Sequence, residues 1–324
     1  MISFIKKIFS IFQQPIDFIL SIAVIPAALI LLTYRRIGSE RFPIATMRLK
    51  KIGLFPIRNH YYEPLFDTTQ LKIPLAEDRD LPGINLNKTS QLSFLKTLVY
   101  SSELVELRLN IKPIDINHFY INNGSFESGD AEFLYQFIRV IKPNKIIEIG
   151  SGNSTKITKI ALQKNRYDNN QSTRHICIEP YEQPWLERFG NIDIVRKRVE
   201  DCEFDWPNEL HAGDLLFIDS SHVIRPQGDV LKEYLEILPQ LASGVYIHIH
   251  DIFTPKDYLH SMVVDCVRFW NEQYLLEALL SNTDRYEIIG ALNFLKHHHY
   301  DDLKKICPYL TPEREPGSFY IRVR

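Results

Sequence analysis

Cysteine is scarce in this chain: 4 among 324 residues, with no C-x-x-C pair. A disulfide framework and a zinc ribbon are therefore not expected. Low-complexity tracts and internal repeats are absent. Charge excess is also lacking, since the formal net charge is only −2, and no nucleic-acid partner is expected. Hydrophobic residues at 45% and charged residues at 24% are ordinary globular proportions, which exclude wholesale disorder, collagen and a polytopic membrane protein.

The near-neutral total hides an asymmetry. Residues 1–60 hold 9 Lys/Arg against 2 Asp/Glu, and the remaining 264 hold 29 against 38. A basic head on an acidic body suggests a negatively charged surface near the N-terminus, with anionic lipid the first candidate. The single long apolar run lies there: Phe18–Tyr34 has no charged side chain in 17 residues, the lower limit for crossing a bilayer. Ile2–Phe12 before it reads as a short amphipathic stretch with Lys6 and Lys7. Arg35 and Arg36 stand where a signal-peptide cleavage site would be needed. The positive-inside tendency keeps Arg35, Arg36, Arg41, Arg48, Lys50 and Lys51 in the cytoplasm. The expectation is attachment to the cytoplasmic face of a membrane, single-pass or monotopic. The competing reading is a cytoplasmic protein whose first helix packs on its body.

Residues 1–42 are thus read as a membrane-association segment and 43–130 as a loop-rich and helical arm. The arm carries Pro43, Pro56, Pro64, Pro74 and Pro82, and its cluster His60-Tyr61-Tyr62-Glu63 is expected to pack on the core or cover a site. Apolar spacing predicts one helix over 89–109 and another over 131–141. From 145 onward short apolar runs alternate with helical stretches. Strands are predicted at 145–150, 174–179, 192–199, 214–219, 245–250, 286–292 and 318–323, and helices at 156–163, 230–241 and 258–280. Alternation of this kind predicts an α/β domain over 131–324, with a mostly parallel sheet and an antiparallel final strand.

In such sheets ligands bind beyond the carboxyl ends of the strands, where the strand order switches. The first strand runs into Glu148-Ile-Gly150-Ser151-Gly152-Asn-Ser154-Thr155. Its two glycines allow a tight turn and close approach of a ligand, and Ser154 or Thr155 can cap the helix that follows. The third glycine of a nicotinamide loop is missing, because Thr155 holds its place. The span from Gly152 to Glu179 also exceeds the usual ~20 residues, owing to a polar insertion at 164–173. The next strand ends on Glu179, where a carboxylate can take both ribose hydroxyls.

The E-x-G-x-G loop followed by a strand-end acid resembles motifs I and II of class I S-adenosylmethionine-dependent methyltransferases, which have a Rossmann-like fold. GDLLFIDSSH, GVYIHIHDIF, HYYEPLF, SGDAEFLYQFI, CIEPYEQPWL and RFWNEQYLLEALL extend the resemblance over most of 43–324, to a bacterial branch associated with polysaccharide or natural-product tailoring. The resemblance implies S-adenosylmethionine as cofactor. Gly150, Ser151, Gly152 and Ser154 would hold its methionine part, Glu148 would lie near its amino group, and Glu179 would bind the ribose. Glu200 or Asp201 would border the adenine, with Asp219 beside them. It also implies O-methylation of a hydroxylated acceptor, such as a glycan or lipid-linked sugar.

Three strand-end residues are expected to carry the chemistry: His222, His250 and Asp251. Either His222 or His250 acts as general base, or a divalent metal, Mg²⁺ or similar, sits on Asp219, His250 and Asp251 and lowers the acceptor pKa. A histidine where an acid is expected weakens the case for an oxygen-only site. His248 should share a face with His250, two residues away. Arg225 and Gln227 are candidate substrate contacts. His297-His298-His299 is not expected to bind one ion. Two alternatives stand beside this reading: a non-haem iron oxygenase using His222, His248, His250 and Asp251, and a non-catalytic membrane-tethered scaffold.

Overall fold

The structure is a computed structural model. It describes residues 2–115, 117–181, 183 and 185–324, with side chains from residue 13 onward. The side chains of the amphipathic stretch 2–12, and Glu182 and Pro184 of the CIEPYEQPWL segment, lie outside the described residues. The chain forms two compact units, Met1–Lys72 and Ile73–Arg324. Composition placed boundaries at 42/43 and 130/131 instead. Residues 73–130 belong to the unit that contains the sheet, because Leu95, Leu98, Leu104, Leu109, Phe119 and Phe126 are buried in one of its cores.

In the first unit, helix α1 (Ile2–Ile37) contains the whole apolar run and stays helical through Pro15 and Pro26. Within its segment Gln13–Ile37 an unburied 18-residue window has a mean hydropathy of 2.4, so the helix is long and apolar enough to cross a membrane. A turn at Gly38 leads to α2 (Pro43–Ile52), which ends on Gly53 in the left-handed conformation. Glu63 pairs with Arg35 at 2.7 Å and with Arg58 at 3.0 Å. Tyr61 and Tyr62 are exposed and lie against each other, with ring centroids 3.9 Å apart.

The second unit opens with α3 (Lys88–Leu95) and α4 (Ser101–Glu106). The single helix predicted at 89–109 is broken over 96–100, where the side chain of Gln136 accepts the Tyr100 N–H at 2.8 Å. Helix α5 (Asp130–Ile141) precedes β1 (Lys145–Ile149), α6 (Asn153–Asn169), β2 (Arg174–Ile178) and β3 (Asp193–Val195). Then come α7 (Trp206–Glu209), β4 (Leu215–Ile218), α8 (Asp229–Lys232) and β5 (Tyr246–Ile249). The chain ends with α9 (Glu272–Leu280), β6 (Tyr286–Ala291), α10 (Leu292–His298), α11 (Tyr300–Ile306) and β7 (Phe319–Val323).

The seven strands form one sheet in the order β3-β2-β1-β4-β5-β7-β6. β1 to β5 pair in parallel, and β7 runs antiparallel between β5 and β6. Apolar side chains cover both faces in two cores, one including Ile147, Ile149 and Ile218, the other Ile146, Phe137 and Phe217. Full coverage on both faces is why these strands read as continuous apolar runs rather than as alternation.

Several predicted elements change length. The polar insertion 164–173 mostly continues α6. The stretch predicted as a helix at 230–241 is α-helical only in α8, then widens into a π-turn at Glu233–Ile237 and tightens at Leu238–Gln240; Pro239 supplies no N–H to continue the ladder. The helix predicted at 258–280 is helical in α9 and in a π-turn at Ser261–Asp265. Its break is set by long-range bonding: the N–H groups of Asn271 and Glu272 are given to the carbonyl of His222. Two short helices, α10 and α11, join the last two strands, which pair antiparallel as anticipated.

Candidate active site

Strand order reverses between β1 and β4, so the ends of β1, β2 and β4 open onto a shared cleft. A cavity of about 280 Å³ lies there, lined by Gly150, Glu179, Glu200, Asp219, Ser220 and Arg225 among others. Gly150 has φ +81°, and a Cβ on it would stand 2.0 Å from the carbonyl oxygen of Asp219. No other residue fits. Gly152 differs: a Cβ there would meet nothing within 4 Å, so the backbone beside it is open to a ligand.

Glu148 does not point into this space. It is buried, and its Oε1 accepts the hydroxyls of Ser154 at 2.6 Å and Thr155 at 3.0 Å. Its Oε2 meets His175 Nε2 at 2.8 Å and Cys177 Sγ at 3.6 Å. Parallel register sets Glu148 opposite Cys177. Thr155 Oγ1 in turn accepts the Gly152 N–H at 3.1 Å. The expected cofactor contacts Glu148 and Ser154 are thus braces that tie the loop to β1 and β2 from beneath, because both oxygens of the carboxylate are already engaged. The burial of Cys177 beside Glu148 raises its thiol pKa well above the usual range.

Glu179 lies at the cleft as expected. It accepts the N–H of Ser151 at 3.0 Å and of Tyr181 at 2.9 Å. An ionised carboxylate has about four acceptor positions, so two N–H bonds leave room for two hydroxyls. Ser151 Oγ is buried without a partner among the described residues. Of the two acids offered for the adenine edge, Glu200 lines the cleft and Asp201 does not; Asp201 is exposed and pairs with Arg198 at 2.8 Å. An open glycine and a strand-end carboxylate with spare lone pairs fit S-adenosylmethionine.

Beside Asp219 the ends of β4 and β5 bring four expected residues together. His222 Nε2 is 3.3 Å from Asp219 Oδ1 and 3.5 Å from Asp251 Oδ2. His250 Nδ1 is 3.5 Å from the same Asp219 oxygen and 3.7 Å from the same Asp251 oxygen. Two residues without a prior assignment complete the set. Glu272 Oε2 meets His222 Nδ1 at 2.8 Å, and Asp130 Oδ2 lies 3.6 Å from His250 Nε2. Sequence reasoning missed both: Asp130 closes the turn before the helix predicted at 131–141, and Glu272 lies within the stretch predicted as a helix at 258–280, whereas in the structure each opens a helix.

The backbone here is held in an unusual state. His222 and Asp251 have φ of 60° and 57°, the left-handed region, which costs a non-glycine residue of order 1–3 kcal/mol and persists only when neighbours impose it. For His222 they do. Asp229 accepts both the N–H and the hydroxyl of Ser221, each at 2.8 Å, and Asn271 Oδ1 accepts the N–H of Ile224 at 2.6 Å.

Electrostatics follow from the packing. Burial disfavours a charged His222, but hydrogen bonds to Asp219 and Glu272 overcome it and push its pKa up to about 10. His250 is likewise raised well above the usual range: burial opposes this, and Asp251 and Asp219 outweigh it. The Asp219 carboxyl is held far below its ordinary range, burial notwithstanding, by His250 and His222. Burial raises Asp251. These shifts favour the protonated form of both imidazoles over the neutral base expected of His222 or His250, and Asp251 is the adjoining carboxyl whose proton affinity burial raises.

His248 shares the face of His250 against Phe126, but it is core. It is fully buried, stacks on Tyr320 at 4.1 Å and bonds Ser318 Oγ at 2.8 Å. Burial lowers its pKa well below 6.5. The oxygenase reading loses that ligand. Asp219, His222 and Asp251 each offer a donor atom within 4.8 Å of the others, and His250 Nδ1 lies 3.5 and 3.7 Å from the same two aspartates. Arg225 borders the cleft, 3.7 Å from Asp229, while Gln227 is not among the cavity-lining residues. The triple histidine diverges: His297 meets Glu315 at 2.8 Å and His298 meets Asp78 at 2.7 Å.

Comparison with known proteins agrees with this geometry. Residues 147–252 match the family described as a methyltransferase domain. An uncharacterized protein of Archaeoglobus fulgidus is 30% identical over 172 residues, 48% of this chain and 74% of that protein. Among solved structures, CalS11, a TDP-rhamnose 3′-O-methyltransferase of calicheamicin biosynthesis, is 12% identical, covering 75% of this chain and 99% of its own, with a TM-score of 0.37. The plantazolicin methyltransferase BpumL, solved with S-adenosylhomocysteine, is 12% identical over 73% of this chain and 98% of its own, with a TM-score of 0.36. At those scores the two structures add no weight, and the matched domain carries the assignment. The chain contains a methyltransferase domain over residues 147–252.

Proposed function

We propose that this methyltransferase O-methylates a hydroxylated acceptor, of glycan or lipid-linked sugar type, at the cytoplasmic face of a membrane. The observation that carries the O-methylation is the Asp219–His222–His250–Asp251 cluster at the ends of β4 and β5, next to the cofactor cleft, with both imidazoles buried and both aspartates half-buried. The acceptor class rests on the resemblance of the β4 and β5 segments, and the membrane on the exposed apolar helix α1 with its basic flank.

S-adenosylmethionine, when bound, supplies an electrophilic methyl on a sulfonium. The chain must align a hydroxyl with it and remove a proton. Glu179 would hold the ribose hydroxyls, and Glu200 would border the adenine. Asp251 Oδ2 accepts the acceptor's proton. His222 and His250, charged, hold the Asp251 and Asp219 carboxylates in place, and the permanently ionised Asp219 offsets their charge.

One observation favours a second reading. His222 is oriented through Nδ1 by a carboxylate while Nε2 faces two aspartates, an arrangement common to metal-ligating histidines. Asp219, His222 and Asp251 would hold a divalent ion, which lowers the pKa of a bound hydroxyl.

Calorimetry with S-adenosylmethionine and S-adenosylhomocysteine, repeated with Glu179→Ala, tests the cofactor site: binding by the native chain and its loss in the variant are expected. Transfer to hydroxylated acceptors, assayed with Asp251→Asn and with EDTA, tests the chemistry. Retained activity in Asp251→Asn refutes the base. Activity lost in EDTA and restored by Mg²⁺ selects the second reading.

A further inference from the structure

We infer that α2 lies in the plane of the membrane surface and docks on anionic lipid headgroups. The inference rests on the reading of α1 as membrane-embedded. Positions 44, 47, 48, 51 and 52 recur at the spacing of one helical stripe. They are Ile44, Met47, Arg48, Lys51 and Ile52, all exposed, with Ile44 at 66%, Met47 at 63% and Ile52 at 79%. The stripe contains no acid. Thr46 and Leu49, on the opposite side, are half-buried, so the apolar side chains on the stripe are not there to fill a core.

The place of this face is set by its link to α1. Five residues separate Ile37 from Pro43, which span at most roughly 20 Å even when extended. They are not extended. Tyr34 in the last turns of α1 bonds Thr46 of α2 at 2.5 Å, and Thr46 Oγ1 donates to the Ser39 carbonyl at 2.8 Å. If α1 is embedded up to Arg35 and Arg36, α2 is held at headgroup depth. There Ile44, Met47 and Ile52 reach the acyl boundary, and Arg48 and Lys51 extend their charges to the headgroups.

Charge selects the lipid. Residues 35–58 hold seven Lys/Arg against Glu40 alone. Arg35 and Arg58 are neutralised by Glu63. Arg36, Arg41, Arg48, Lys50 and Lys51 form no ion pair among the described residues. Five uncompensated cations beside an apolar stripe fit an anionic leaflet, where each Lys or Arg near the surface adds to the attraction.

The test uses the full chain with Cys266→Ser, since the other three cysteines are buried, and a nitroxide on Met47→Cys. It is placed in vesicles of phosphatidylcholine with and without phosphatidylglycerol. Binding of S-adenosylhomocysteine confirms that the labelled chain is folded. With phosphatidylglycerol, collisions with oxygen should exceed those with an aqueous nickel chelate several-fold. Adding Arg48→Glu and Lys51→Glu should reverse the ratio while the chain still resists alkaline carbonate extraction. A label open to nickel in both vesicles, in a chain that resists extraction, overturns the docking of α2 and spares the membrane reading. A label equally shielded in both vesicles and in the charge-reversed chain overturns the anionic preference. Extraction of the unaltered chain by carbonate overturns the membrane reading and this inference with it.

Discussion

Glu272 Oε2 stands 2.8 Å from Nδ1 of His222, and both side chains are buried. The same carboxylate takes the hydroxyl of Tyr234 on its other oxygen at 3.0 Å. Glu272 touches none of the cleft; it orients His222, whose Nε2 then faces Asp219 and Asp251. Glu272→Gln should lower kcat by about 10–100-fold, the usual scale for a group that positions a functional histidine, while KM for S-adenosylmethionine changes little. Steady-state kinetics with thermal unfolding of the same variant check this. A fall in stability with kcat unchanged would make Glu272 purely structural.

The two loop glycines should separate in effect. Gly150→Ala forces a Cβ against the Asp219 carbonyl at a left-handed φ, and should destabilise the fold by more than about 2 kcal/mol. Gly152→Ala meets no protein atom, so its melting temperature should stay near the native value. Its affinity for S-adenosylhomocysteine should fall, because the added methyl occupies open space beside the loop. Equal destabilisation of the two variants would contradict this division.

Glu148 and Glu179 should separate in the opposite sense to their shared place in the motif. Glu148→Ala removes the buried acceptor of Ser154 and Thr155 and the partner of His175, and leaving a buried polar group unsatisfied costs about 1–3 kcal/mol. Denaturant unfolding should show it. Glu179→Ala, at the cleft edge, should leave the denaturation midpoint within about 1 kcal/mol of native and abolish detectable cofactor binding.

Stability should also fall in alkali. The pKa of His222 rises from 6.5 unfolded to about 10 folded. Its proton therefore stabilises the fold fully below pH 6.5, and the contribution is lost as pH climbs through 10. His250 acts in the same direction. In EDTA, the melting temperature should decline steadily from pH 6.5 to 10, and His222→Gln should flatten that slope. Parallel slopes in the two proteins would refute the charged state assigned to His222.

Much of the core was legible because its signals are local. Ile146-Ile147 and Leu215-Leu216-Phe217-Ile218 are apolar throughout, since both faces of their strands are covered, and such runs mark strands without knowledge of their neighbours. The turn at Gly150 and the acid at Glu179 are equally local. The role of Glu148 was not, because its partners His175 and Cys177 come from the adjacent strand, across a register that only pairing creates. The break before α9 was invisible for a related reason: the helical pattern continues through it, and the bond that interrupts it goes to His222, some fifty residues earlier.

Local chemistry alone settles the uncharged run at 18–34, its basic flank, the order of the seven strands and the glycine loop. Each depends on side-chain type and spacing within a few residues. Protonation and grouping at the site are different. Asp130, Asp219, His222, His250, Asp251 and Glu272 come from four separate segments, and whether an imidazole there is a neutral base or a fixed cation depends on how many carboxylates surround it and how little water does. Those are properties of the packed interior, so only the tertiary structure could decide that four carboxylates surround His222 and His250, that His248 is core, and that Glu148 braces the loop from below.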